Sequence, residues 1–250
     1  MNPTKAMAHR AGALYFLFSL VAIVREVIFP KFMTPGDAAA TVHNITSAEP
    51  MYRLGVGMGF ATLVMFIFLV AILHQLLEDA DRSIALLMVL LVAVGVAVSV
   101  ANIVNEMAPL GLLGGASCLS VFTRPQLEAL ALGFLRLHSS GATVATAFWG
   151  LWLFPFGILV VKSRCFPRIL GILLRIAGFA HVAFSVTSIV LPEYRQAVSR
   201  IVMPLYFGEV PIILSLRFGV RSRCLRVERP WQPERIRSWA GGCTGREVQE

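Results

Sequence analysis

IALLMVLLVAVGVAVSVANIVNEM, residues Ile84–Met107, decides the fold. The run is too apolar for the surface helix of a soluble domain, and it exceeds the roughly 20 residues that a helix needs to cross a bilayer. Near its end stand Asn102, Asn105 and Glu106. Their i, i+3, i+4 spacing places them on one helix face, a turn apart. The stretch therefore reads as a transmembrane helix with a polar outer end, around which the other polar residues at membrane depth are expected to gather.

Composition extends this reading to the whole chain. Of 250 residues, 57% are hydrophobic and 14% charged, and the mean hydropathy is +0.74, so most of the chain has lipid as its solvent. The net charge of +8 does not point to nucleic acid. The basic residues sit at the ends of apolar runs, as topology determinants do, rather than on a face interleaved with aromatics. Cys118, Cys165, Cys224 and Cys243 are widely spaced without a CxxC, which supports neither a disulfide framework nor a zinc site. They are read as inert thiols.

Five more apolar runs give an all-α polytopic fold, with six transmembrane helices in a single bundle. The expected spans are about 11–29, 54–77, 84–107, 139–161, 169–191 and 201–220. The first could be a signal peptide, but Val24-Arg25-Glu26 offers no small-residue cleavage site. Between spans one and two, Thr34-Pro35-Gly36-Asp37 forms a turn, with Asp37 as N-cap of a helix over Ala38–Ala48. Gly55 and Gly59 form a small-xxx-small pair suited to close helix approach. Ala108–Phe122, rich in Gly and Leu, reads as an irregular loop, and Arg124-Pro125 opens a new helix that runs into span four. Residues 221–250 read as a basic, disordered cytoplasmic tail whose Arg221, Arg223, Arg226 and Arg229 would meet anionic lipid. The Lys and Arg distribution places both termini inside and the two long connections outside.

In this topology the outer half of the bilayer holds Arg25 and Glu26, Asn102, Asn105 and Glu106, and His138. His181 and Glu209 fall near the midplane. A charge at the bilayer centre costs roughly 3 kcal/mol on insertion scales, so such groups turn inward and pair. The ligand-binding residues expected on this basis are Asn102, Asn105, Glu106, His138, His181 and Glu209, lining one pocket open to the outside. Arg25 and Glu26, adjacent and about 100° apart on a helix, read as an interfacial pair.

One resemblance rests on a series of short motifs in fixed order. These are Pro35-Gly36-Asp37-Ala38, Arg53-Leu54-Gly55, Asn102 with Asn105, Leu137-His138-Ser139, Gly150-Leu151-Trp152, Phe166-Pro167-Arg168-Ile169-Leu170-Gly171 and Gly208-Glu209. The series resembles a bacterial family of polytopic membrane proteins known as domain of unknown function, family 4386, over roughly Ala8 to Val220. The resemblance implies a six-helix bacterial inner-membrane protein and brings no reaction with it.

The function expected is binding or transport of a small molecule or ion through the outward pocket, with a homodimer needed if six helices are to run a full transport cycle. The alternative is a structural or regulatory membrane partner whose polar residues only fix helix packing. An enzyme or haem protein is less favoured. His138 and His181 differ in depth by much of a half-bilayer, and the chain has no nucleophile motif or metal-spaced cluster, so no cofactor, metal ligand or nucleic-acid partner is expected.

Overall fold

A computed structural model describes residues 3–115 and 117–218. Among the described residues there is no strand, and six segments are long and apolar enough to cross a membrane. Span one is α1 (Pro3–Ile28) with a 3₁₀ extension, Phe29–Phe32. A short α2 (Ala38–Ser47) leads to α3 (Glu49–Leu77), and α4 (Arg82–Leu113) follows a tight turn. The fourth segment comprises α5 (Arg124–Leu151) and α6 (Leu153–Ser163), and the fifth is α7 (Arg168–Val190). The last is built from Pro192–Tyr194, α8 (Arg195–Val202), Met203–Glu209 and α9 (Val210–Phe218). The tail from residue 221, with its arginine cluster, lies outside the described residues.

Local chemistry explains most of these boundaries. Asp37 caps α2 as its sequence predicts, its Oδ1 accepting from the Ala40 amide at 2.9 Å. At the start of α5, Thr123 and Gln126 form a capping box and Pro125 occupies the first turn. Pro155 has no amide to offer the Leu151 carbonyl, and the fourth segment breaks there into α5 and α6. One expectation fails: residues 108–113 continue α4 instead of opening a loop. Pro109 is buried within that helix, and Leu110 packs against the cluster of Phe29, Phe32, Ile45 and Tyr52. Tertiary contacts there outweigh the weak helix preference of a Gly- and Pro-containing stretch.

Each span packs against the next, and α9 returns to pack against α1, so the six form a closed ring. Close backbone approach holds the α5/α6–α7 side together. A Cβ on Gly150 would lie 2.6 Å from the Gly178 carbonyl oxygen, and one on Gly157 2.7 Å from that of Gly171. The half of the ring nearer the short turns is solid. Trp152 fills its centre at 2% exposure, edge-on to Phe66 and stacked on Phe156 with centroids 5.1 Å apart. Cys165 is disulfide-bonded, which corrects its reading as an inert thiol, since spacing along the chain says nothing about proximity in space. Cys118 is free and exposed, whereas Cys224 and Cys243 lie outside the described residues.

The two short turns meet through Asp81. Its Oδ2 accepts from Lys162 Nζ at 2.7 Å, and its Oδ1 caps α4 by accepting from the Ile84 amide at 3.1 Å. The hydrogen bond from Lys162, and then that from Ile84, hold the carboxyl below its ordinary value of 3.8. A depressed folded-state pKa stabilises the fold above the unfolded value and ceases to do so as pH falls through the folded one. Asp81→Asn keeps a capping side chain and removes the charge. The variant is expected to unfold slightly earlier than the parent at pH 7, with the difference fading only as pH falls below about 4 and through the folded-state value, as read by thermal unfolding in detergent across that range.

Candidate functional site

The site begins with the polar face of α4. Glu106 is fully buried, a position a carboxylate tolerates only when paired. It bonds the Arg25 guanidinium of α1, and His138 Nε2 of α5 lies 3.2 Å from the same oxygen. Its backbone carbonyl accepts from the Tyr52 hydroxyl of α3 at 2.7 Å. Four helices are thus tied at one residue.

One turn deeper, Asn102 crosses to α5. Its Nδ2 donates to the His138 carbonyl oxygen at 2.8 Å, and its Oδ1 accepts from Asn105 Nδ2 at 3.0 Å. His138 Nδ1 lies 3.3 Å from the Asn102 carbonyl oxygen. If that nitrogen carries the proton, Nε2 is left to face Glu106 as an acceptor unless the ring is doubly protonated. Two glycines make the arrangement sterically possible. A Cβ on Gly59 would sit 2.9 Å from Arg25 Nε, and one on Gly141 would overlap the Asn102 amide.

The ring does not close completely below this cluster. A cavity of about 210 Å³ lies between α1, α3, α4 and α5, walled by Arg25, Thr62, Ser99, Asn102, His138, Thr146 and Trp149 together with small and aliphatic side chains. Thr62 and Thr146 donate their hydroxyl protons to their own helices, at Gly59 and Ala142, which leaves lone pairs available. Two buried polar atoms of the cluster have no partner, Arg25 Nε and Glu106 Oε2. On the side away from the cavity, Phe29, Phe32 and Tyr52 pack over the cluster. The polar region is therefore capped by an ion-paired layer and then an aromatic one.

Asn102, Asn105, Glu106 and His138 come together as the sequence predicts. His181 and Glu209 lie elsewhere. The His181 ring stacks on Tyr206 with centroids 4.0 Å apart, its Nδ1 2.9 Å from the Ala177 carbonyl oxygen. Glu209 accepts from the hydroxyl of buried Tyr15. Neither lines the cavity. Similar depth on different helices does not fix which way each side chain points around its axis, and here His181 turns toward Tyr206 of the last span and Glu209 toward α1.

Arg25 is the residue sequence reasoning misplaced. The local pair with Glu26 forms, but it is not the guanidinium's only partner. The Arg25 side chain is 17% exposed against 73% for Glu26, and it reaches inward to Glu106 while keeping a 3.2 Å contact to its neighbour. Gly59, read as a helix-packing residue, instead clears the space the guanidinium occupies. Among the described residues there is no group of three or more His, Cys, Asp or Glu that could hold a metal ion.

Six apolar spans around a partly polar centre define a multi-pass helical membrane protein. The family model of the Domain of unknown function (DUF4386) matches residues 10–216, and the chain belongs to that family. No curated protein and no solved structure matches it.

Proposed function

We propose that this is a bacterial inner-membrane protein, with both termini cytoplasmic, that binds a small polar solute in the cavity beneath Arg25, Glu106 and His138. The observation carrying this reading is a 210 Å³ space between four helices that Arg25, Thr62, Ser99, Asn102, His138 and Thr146 line together. Polar side chains that wall such a space with lone pairs and N–H groups to spare can hold a polar solute. The cavity is smaller than the roughly 300–1,000 Å³ of sites for drug-sized ligands, so the solute has few heavy atoms. Arg25 and Glu106 offset each other's charge, which suits a solute that is neutral overall and rich in hydrogen-bonding groups. Transport of such a solute would require the capping layers to part, and a homodimer would then be the working unit. The arginine-rich tail would hold anionic lipid at the cytoplasmic face.

One set of observations favours a second reading. The expected pocket residues largely pair with one another, so the cluster could serve only to lock four helices of a structural or regulatory partner protein. A panel of small amides, polyols and amino acids separates the two, read by unfolding in detergent. A bound solute at a hundred times its Kd raises stability by about 2.7 kcal/mol. Ser99→Leu, which fills the cavity, is expected to abolish that gain and leave the fold intact. If no solute stabilises the protein, and density maps of material purified in mild detergent show only water beneath Arg25, the packing reading stands.

A further inference from the structure

The last span carries a second polar device, remote from the cavity. Met203–Glu209 is a seven-residue 3₁₀ stretch, longer than the three or four residues usual for that helix type, and such stretches inside a helical segment mark hinges. Pro204 opens it and Pro211 follows it. Neither ring can donate to the preceding turn. The stretch is pressed against α7, where a Cβ on Gly208 would come 2.9 Å from the Leu173 carbonyl oxygen. Glu209 ends the stretch, and there Tyr15 of α1 donates its hydroxyl to the carboxyl Oε2.

The two carboxyl groups well inside spans are partnered differently. Glu106 faces an arginine and a histidine, so its charge is matched within the fold. Glu209 faces a phenol. Among the described residues no basic side chain pairs with it, and the titratable groups on the packed elements are engaged elsewhere. On α7, His181 is held at Ala177 and stacked on Tyr206, and Arg175 Nε donates to the Gly171 carbonyl oxygen at 3.2 Å. On α9, Arg217 Nη1 lies 3.2 Å from His9 Nδ1 of α1. The phenol hydrogen bond serves the carboxyl group in either ionisation state, but the full cost of a charge at this depth falls on the ionised one.

We propose that the Glu209 carboxyl is a proton-exchange site, with Tyr15 as its fixed hydrogen-bond donor and the 3₁₀ stretch as the hinge that exposes or covers it. The step is one proton taken from water onto the carboxylate to give the neutral acid, and returned by the reverse. No other bond changes. This assignment is independent of the solute cavity and stands or falls separately.

The test is infrared difference spectroscopy of the full chain in liposomes through a pH titration. A protonated-carboxyl stretching band is expected at low pH and lost at high pH, absent from Glu209→Gln, and displaced in frequency and midpoint in Tyr15→Phe. The Tyr15→Phe response assigns the band even if Glu209→Gln fails to fold. A purely structural hydrogen bond would give no titrating band. The proposal is overturned if no such band titrates while the protein stays folded, or if the band is indifferent to Tyr15→Phe. It is also overturned if the midpoint follows sodium concentration at constant ionic strength, since the exchanged ion would then be a metal cation.

Discussion

Arg25→Met is expected to lower the unfolding free energy by about 3–5 kcal/mol, because it leaves the fully buried Glu106 without its guanidinium. Glu106→Leu alone is expected to cost less, because Arg25 keeps its 3.2 Å contact with Glu26. The double variant Arg25→Met, Glu106→Leu is expected to recover most of the loss, since removing both partners of a buried pair by apolar groups of similar size is often neutral. Unfolding of all three in mixed micelles completes the double-mutant cycle. A double variant no better than the worse single one would show that the pair is not a unit. The same variants bear on solute binding: the double variant should fold and yet lose any solute-induced stabilisation, because the Arg25 side chain no longer lines the cavity.

Trp152→Ala is expected to cost a similar amount, about 3–5 kcal/mol. Trp152 touches Phe66 and Phe156 at the centre of the filled half of the ring, so its removal opens a void that the surrounding helices cannot collapse into without losing their glycine contacts. Trp149→Ala is the informative comparison. Trp149 is only partly buried and already borders the cavity, so its loss should cost less than that of Trp152 and should shift solute preference toward larger molecules. Thermal unfolding of the two variants in the same detergent checks the order. Equal losses would mean that the cavity is not a pre-existing space.

How much of this was legible beforehand differs between the frame and the site. The membrane class, the helix start at Arg124-Pro125 and the cap at Asp37 follow from local chemistry, which a single stretch of sequence carries in full. The i, i+3, i+4 face of α4 was legible for the same reason, and it proved to be the hub of the polar cluster. Arg25 was not. Its burial depends on Glu106, 81 residues away, and on the missing side chain of Gly59, and nothing in Val24-Arg25-Glu26 signals either. Glu209 was legible as a charge near the midplane of an apolar span. That it meets Tyr15, with no contact to the α4 cluster, depends on rotation about the helix axis, which proline breaks at 204 and 211 make unreadable from periodicity. Pro109 shows the converse error, a local breaker overruled by packing.

The closure of the ring between α1 and α9 has a consequence for biogenesis. Tyr15 and Glu209 are 194 residues apart, and a Cβ on Gly12 would lie 2.7 Å from the Arg217 amide nitrogen, so α1 is completed by a helix synthesised much later. At roughly 5–20 residues per second, the matching face of α1 stays uncovered in the membrane for some 10–40 s. Helix order on the ribosome and contact order in the fold are here at opposite extremes. Through that interval the Gly12 and Tyr15 face of α1 must be sheltered by lipid or by the insertion machinery, and this closure is the docking of elements distant in sequence rather than the stacking of neighbours.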